Sequence, residues 1–330
     1  MKMVKYKIIY IDTQPSDISL EKEVLLKIDA ELVKPKSCSE EDLIECGKDC
    51  DGIIVDLVPI TSSLLENCPK LKVISRLGIG YNNVDIEAAS KKGVMVANVP
   101  DYCLGEVADH TLALALTCIR KTAAFNDAVR YKDVWAEKSV GPMYRLRDQI
   151  FALYGFGNIA KNVAKRAEAF GFKIAAFDPY LQDSDFEEYS ARKVNSLEEL
   201  ASIADIFSIH APATKETEGT VDISIFKKMK PTCTVINTSR GILINEEDMV
   251  TALKEKMFSA AGIDVFTEEP LPVGSKLFDF DNVIITPHVA FYTEESNMEM
   301  RQRAAGEIVN TFTDGHPRLT AFVNKKDFGY

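Results

Sequence analysis

The stretch from Gln149 to Asp178, QIFALYGFGNIAKNVAKRAEAFGFKIAAFD, limits what this chain can fold into more than any other. Gln149 to Tyr154 is mostly apolar and suits a strand buried on both faces of a parallel sheet. Gly155-Phe156-Gly157-Asn158-Ile159-Ala160 follows as a glycine-rich turn. A helical pattern comes next, with Ile159, Val163, Ala167 and Phe170 on one face, and Gly171 ends it. Phe172 to Phe177 is a second apolar strand, closed by Asp178. Strand, glycine turn, helix and strand in that order predict a βαβ unit and therefore a parallel sheet.

Each residue type in the turn has a physical use. Gly155 permits a tight turn, Gly157 lets the backbone approach a pyrophosphate, and Ala160 is small enough for close helix–strand packing. The helix N-terminus offers backbone N–H groups to phosphates. A carboxylate at Asp178 can accept from both ribose hydroxyls of NAD and repel the 2′-phosphate of NADP. Together these predict NAD as the cofactor. A strand–turn–helix without any ligand is the plain alternative.

The chain has 330 residues, which suggests two domains, and 46% hydrophobic residues, enough for substantial cores. A net charge of −11 argues against a nucleic-acid scaffold. The seven cysteines, Cys38, Cys46, Cys50, Cys68, Cys103, Cys118 and Cys233, form no C-x-x-C pair. None is spaced with the four histidines as a zinc site would be, so no metal is expected. Scattered thiols suggest a reducing, cytoplasmic setting. The start, MKMVKYKIIYID, resembles a strand more than a signal peptide, and no run approaches the ~20 apolar residues of a membrane span.

Before the glycine turn, short apolar runs at Tyr6 to Ile11, Gly52 to Val55, Lys72 to Ser75 and Gly93 to Ala97 alternate with helical stretches, predicting a separate open α/β domain. Leu104 to Ile119 is too apolar for a free surface helix and is expected to pack on a second domain or subunit. After Asp178 the alternation resumes, with strands at Ala204 to His210, Cys233 to Asn237, Ser259 to Asp264 and Val283 to Thr286, and a long last helix at Glu294 to Phe312. The tail from Gly315 to Tyr330 is expected to be irregular.

Ligands of open parallel sheets sit beyond the carboxyl ends of the strands. Three consecutive strands end just before Arg240, Glu269 and His288, so these side chains are predicted to gather on the edge that carries the glycine turn. Arginine can grip a carboxylate through two parallel hydrogen bonds. Histidine is the usual proton donor near neutral pH, and a carboxylate on its far nitrogen fixes the tautomer. The set fits reduction of a 2-oxo acid, a small-molecule partner. Taken singly, Arg240 is also what a surface or helix end carries, Glu269 lies in an acidic turn, and His288 could be a core histidine. His110 is read as packed in its apolar helix, and His210 as shaping the cofactor pocket.

On the motifs RLGIGYNNVD (76–85), GFGNIA (155–160), FDPYL (177–181), NTSRGILINEEDMVTALKE (237–255), GIDVFTEEP (262–270) and TPHVAFYTEES (286–296), the chain resembles the D-isomer-specific 2-hydroxyacid dehydrogenases. AFGFKIAAFDPYL, HVAFYTEESNMEMRQRAAGEI and VNKKDF look most like their C-terminal binding protein branch. The resemblance implies a Rossmann NAD-binding domain at 102–288 inserted into a flavodoxin-like substrate domain made of 1–101 and 289–330, with the active site in the cleft. It implies catalytic roles for Arg240, Glu269 and His288. Asn158, Ile159 and Asp178 would bind the adenosine and phosphates. Pro212, Thr238, Ser239 and Asp264 would line the nicotinamide side, Asp264 accepting from the carboxamide. Gly78 and Ile79 would offer backbone N–H groups to the substrate carboxylate, Arg76 would stand on the substrate side, and Phe291 would wall an apolar pocket. A homodimer through the 104–119 region is implied as well. Phe291 departs from that branch, which carries tryptophan there, and Asn82 and Asp148 depart from common residues of the family. Two alternatives stay open: an NAD(H)-gated interaction protein, and an enzyme of the same fold acting on a phosphoglycerate- or hydroxypyruvate-type substrate.

Overall fold

A computed structural model describes residues 4–12 and 15–330. The chain divides into two compact units: residues up to Tyr102 with Thr293–Tyr330, and Cys103–Tyr292. Among the described residues, no helix is long and apolar enough to cross a membrane.

The first unit is built on a five-stranded parallel sheet of β1 (Tyr6–Ile11), β2 (Ala30–Val33), β3 (Gly52–Val55), β4 (Val73–Arg76) and β5 (Met95–Ala97), in the order β2-β1-β3-β4-β5. The central β3 is GIIV with every residue buried, as a strand covered on both faces must be. The edge strand β2, AELV, pairs with β1 alone and is interrupted by the exposed Glu31, which explains why its sequence shows only a short apolar run. The last helix, Glu294–Asp314, returns to this unit: Ser75 Oγ donates to the carbonyl of Ala304 at 2.8 Å, and Arg301 Nε meets the fully buried Glu21 at 2.5 Å. The tail is less irregular than its sequence suggests. Phe322 bridges antiparallel to Ala97, and the Asn324 side chain accepts from Val96 N–H and donates to the Val94 carbonyl, closing the open edge of β5.

The second unit holds a seven-stranded parallel sheet of β6 (Ile150–Tyr154), β7 (Lys173–Phe177), β8 (Arg192–Lys193), β9 (Ile206–Ile209), β10 (Thr234–Asn237), β11 (Ala260–Ile263) and β12 (Val283–Ile285). The order β12-β11-β10-β9-β6-β7-β8 makes this a Rossmann-type, doubly wound sheet that reverses direction between β6 and β9. β8 is a two-residue edge strand with no apolar signal. The helix after the glycine turn spans Asn158–Ala169 and buries Ala160, Val163, Ala164 and Ala167. Phe170, expected on that face, is instead half exposed, because the helix has ended and the chain turns through Gly171 at φ +86°. The helix Leu104–Arg120 does not wait for another domain or subunit to cover its inner face. Ala108, Leu112, Leu114 and Ala115 join a core with Phe151, Val163 and Ile236 inside this unit.

Strand register fixes the level of the loops. Phe177, Tyr154, Ile209, Asn237, Ile263 and Ile285 lie side by side as consecutive partners across the sheet. The next residue of each strand is therefore Asp178, Gly155, His210, Thr238, Asp264 and Thr286. The loops leaving β10 and β11 are pressed together: a Cβ on Gly241 would stand 1.9 Å from the carbonyl carbon of Phe266, a backbone atom that cannot turn away. Gly241→Ala is expected to push these loops apart at a cost of about 1–3 kcal/mol. At about 2–4 °C per kcal/mol for a domain of this size, thermal unfolding would show a lower Tm, and an unchanged Tm would contradict the close approach.

Candidate active site

The glycine turn closes on the switch point of the sheet. Gly155 has φ +86°, and a Cβ there would lie 2.6 Å from Ala211 N, so neither the conformation nor the room allows a side chain. Gly157 differs: a Cβ would meet no protein atom within 4 Å, so packing gives no reason for glycine. The pyrophosphate approach predicted from the sequence supplies one. Gly157 is also the N-cap of the Asn158–Ala169 helix and makes no side-chain cap, which leaves the first-turn N–H groups of Asn158 and Ile159 without a side-chain acceptor. Asp178 is half buried at the end of β7, where its carboxylate accepts from Phe156 N–H and Tyr180 N–H, both at 3.0 Å. This bridge sets the acid against the turn.

Across the switch point the β9 and β10 loops meet. Ser239 Oγ donates to the Ala211 carbonyl at 2.7 Å, next to the exposed Pro212. Thr238 is buried with its hydroxyl 2.8 Å from that of Thr111. Asn237 Nδ2 donates to the Arg240 carbonyl at 2.9 Å, and Arg240 Nη1 donates to the Ser239 carbonyl at 2.6 Å. The loop is thus fixed by its own residues. His210, at the same level, is bonded to Ser208 Oγ at 2.8 Å, and burial pushes its pKa down to about 3. It stays neutral and is no rival proton donor.

The side chains of His288 and Glu269 come together. His288 Nδ1 and Glu269 Oε2 are 2.6 Å apart, each side chain 30% exposed. The other oxygen of Glu269 accepts from Phe266 N–H at 2.9 Å. Burial pushes the Glu269 carboxyl up, but the hydrogen bonds from His288 and Phe266, with the charges of His288 and Arg240, outweigh it and hold it below the ordinary glutamate range. An ionised Glu269 only accepts, so Nδ1 carries a proton and Nε2 is the nitrogen left to exchange one. The ring stands edge-on to Phe291, centroids 6.4 Å apart.

The backbone of His288 is unusual. Its φ is +53°, a region that costs a non-glycine residue of the order of 1–3 kcal/mol and persists only where the surroundings over-determine it. Asp264 does so. The resemblance assigns Asp264 to the nicotinamide carboxamide, but its side chain is fully buried and its oxygens are engaged inside the protein. Oδ1 accepts from the Thr286 hydroxyl at 2.6 Å and Val289 N–H at 2.9 Å, Oδ2 from Ala290 N–H at 2.9 Å, and the Asp264 carbonyl from His288 N–H at 2.8 Å. Asp264 is thus the clamp on the loop that carries His288. His110, read from the sequence as packed, is tied in as well: its Nε2 lies 3.0 Å from Thr286 Oγ1. Only an imidazole on an inward-leaning helix hinted at this; nothing local links it to a residue 176 positions later.

Arg76, Gly78 and Ile79 belong to the first unit. Arg76 ends β4, is 9% exposed, lies 3.5 Å from Asp56 Oδ1, and has an Nε without a hydrogen-bond partner. Its guanidinium rests on Gly78, where φ is +128°. The carbonyls of Gly78 and Ile79 accept from Val99 N–H and the Asn98 side chain.

Glu269→Gln keeps an acceptor for Nδ1 but removes the charge that favours the imidazolium. The rate of turnover is expected to fall by on the order of 10²-fold near neutral pH. An undiminished rate would refute the pairing.

Residues 112–290 match the family model described as D-isomer specific 2-hydroxyacid dehydrogenase, NAD binding domain. The chain is 35% identical over 282 residues to a glyoxylate reductase of Thermococcus litoralis, covering 83% of this chain and 84% of that one. It is 36% identical over 272 residues to a D-3-phosphoglycerate dehydrogenase of Methanocaldococcus jannaschii, covering 82% of this chain but only 50% of that one. The crystal structure of a D-lactate dehydrogenase from Aquifex aeolicus, complexed with NAD and lactic acid, superposes with a TM-score of 0.85 at 28% identity, covering 96% of this chain and 99% of that one. With the glycine turn, the strand-end constellation and these likenesses together, the chain belongs to the D-isomer specific 2-hydroxyacid dehydrogenase family, NAD-dependent oxidoreductases.

Proposed function

We propose that the chain reduces a small 2-oxo acid to its D-2-hydroxy acid, reversibly, with His288 as the acid and base. The observation that carries this is the His288–Glu269 hydrogen bond of 2.6 Å on the sheet edge that also presents Arg240 and the glycine turn. Bound NADH supplies hydride to the carbonyl carbon. His288 delivers the Nε2 proton to the ketone oxygen, so C=O becomes CH–OH and the imidazole is left neutral. Glu269 stabilises the charged imidazole before transfer and keeps Nδ1 protonated throughout. Arg240 holds the substrate carboxylate with two N–H groups. Phe291, edge-on to the His288 ring, contributes an apolar wall.

In this proposal Asn158 and Ile159 serve the pyrophosphate from the open helix end, Asp178 the adenosine ribose, and Pro212, Thr238 and Ser239 the nicotinamide side. Asp264 acts from behind, through the loop it clamps. The relatives named above are called glyoxylate reductase, phosphoglycerate dehydrogenase and lactate dehydrogenase, which supports a short 2-oxo acid as the substrate class. A homodimer and a cytoplasmic setting accompany the proposal.

Three measurements test it. Rates over glyoxylate, pyruvate, hydroxypyruvate, phosphohydroxypyruvate and branched 2-oxo acids, with NADH and NADPH side by side, are expected to show turnover with NADH. NADH-dependent capture of a protein partner with negligible turnover across the panel would favour the interaction-protein alternative instead. His288→Ala is expected to lower kcat by about 10²–10⁴-fold while NADH still binds, and undiminished turnover would sink the role of His288. Asp178→Ala is expected to narrow the preference for NADH over NADPH, because the group that repels a 2′-phosphate is gone; a preference that stays the same would move the determinant elsewhere.

A further inference from the structure

His110 lies on the helix Leu104–Arg120, next to an inner face filled mainly by Ala108, Leu112, Leu114 and Ala115. Its ring is 23% exposed, and Nε2 points at Thr286 Oγ1, 3.0 Å away, and lies 3.6 Å from Asp264 Oδ1. A threonine hydroxyl has one proton, and Thr286 gives it to Asp264 Oδ1 at 2.6 Å. Toward His110 that oxygen can only accept. His110 must therefore carry its proton on Nε2, whatever the state of Nδ1.

We propose that His110 is a positioning residue for His288: by donating from Nε2 to Thr286 it holds the hydroxyl on Asp264, and so holds the loop Thr286–Ala290 in the one shape that presents the His288 ring to Glu269. Every link is direct. His110 bonds Thr286; Thr286 bonds Asp264; Asp264 takes Val289 N–H and Ala290 N–H on its carboxylate and His288 N–H on its carbonyl. His288 sits in the middle of this set with a left-handed backbone that has to be imposed from outside. Without a donor at position 110, the Thr286 hydroxyl can rotate its proton away from Asp264, and the fully buried carboxylate loses a partner. The adjoining helix cannot replace that donor. Its core-facing residues are apolar, and the buried Thr111 gives its one proton to the Val107 carbonyl at 2.7 Å. The inference rests on His288 being the proton donor, but the hydrogen-bond assignment does not.

Two experiments separate these. Long-range ¹⁵N–¹H spectra of the histidine-labelled protein, with its four histidines, are expected to show the His110 proton on Nε2. The resonance is assigned by its loss in His110→Gln. A neutral ring with its proton on Nδ1 overturns the proposal without reference to activity. In the kinetic arm, His110→Leu is expected to lower kcat by on the order of 10- to 100-fold, with KM for the 2-oxo acid and NADH affinity within about twofold and Tm little changed. His110→Gln, which offers an N–H at similar reach, is expected to recover most of the rate. Equal rates for the two variants, or a His110→Leu rate like that of the unaltered protein, overturn the proposal. Should His110→Leu lower Tm strongly, Thr286→Val against Thr286→Ser makes the same comparison from the other side of the bond. Absence of turnover in the unaltered protein on any 2-oxo acid would instead count against the proposed function, and the spectra would still decide the hydrogen bond.

Discussion

The parallel register of the seven-stranded sheet is the constraint from which the site follows. Six strands end at one level, so six loops leave the sheet along one edge. Both faces of such a sheet are covered, and its central strands are largely apolar. Polar chemistry has only the edge to occupy. The chain places an acid, a glycine, a histidine, a threonine, a second acid and a second threonine in the first position past that level, at Asp178, Gly155, His210, Thr238, Asp264 and Thr286. Arg240, Glu269 and His288 stand a few residues further on, where loops can bend and side chains can reach.

The two carboxylates of the β11 loop show how environment divides tasks between like groups. Asp264 is fully buried, and its carboxylate accepts three hydrogen bonds from the following loop, which it holds in place. Glu269 keeps 30% of its side-chain surface, binds one backbone N–H, and gives its other oxygen to His288. His288 is thereby held twice, its backbone by the first acid and its ring by the second. An imidazole held only by its ring partner could pivot about the loop, and one held only by its backbone could rotate about its side-chain bonds. Proton transfer to a fixed ketone oxygen needs both freedoms removed.

Much of this was legible in the sequence because it rests on local pattern and topology. Buried parallel strands show as apolar runs, the glycine turn shows as spacing, and strand ends locate Arg240, Glu269 and His288 on one edge. What stayed hidden rests on long-range pairing or on weak local signal. The edge strands Ala30–Val33 and Arg192–Lys193 are short, the first broken by Glu31 and the second wholly charged, because one side has no neighbour to match. The helix Glu40–Gly47 buries only Leu43 and Gly47 and shows mainly as a Ser39 cap and an acidic first turn. Phe170 looks like a core residue by spacing, yet lies past the last helical turn. Asn324 closes a sheet edge from a tail that reads as irregular, because one side chain takes the place of a strand backbone. For Asp264, only the donors around it, from a loop more than twenty residues later, reveal which segment it holds.

The histidines show why geometry has to arbitrate between equal residue types. His210 lies on the right edge, but burial leaves it neutral and Ser208 takes Nε2. His110 reaches the same network from the helix side, and its Nε2 is taken up by Thr286. His316 sits in the first unit beside the Pro317 carbonyl. His288 combines an ionised partner on Nδ1, a ring partly open on the other side, and a backbone clamped by its neighbours. A proton donor needs all three at once: a charge to stabilise the protonated ring, access for the acceptor, and a fixed direction. Fixing the direction requires the left-handed backbone at His288, and Asp264 is the group that sustains it.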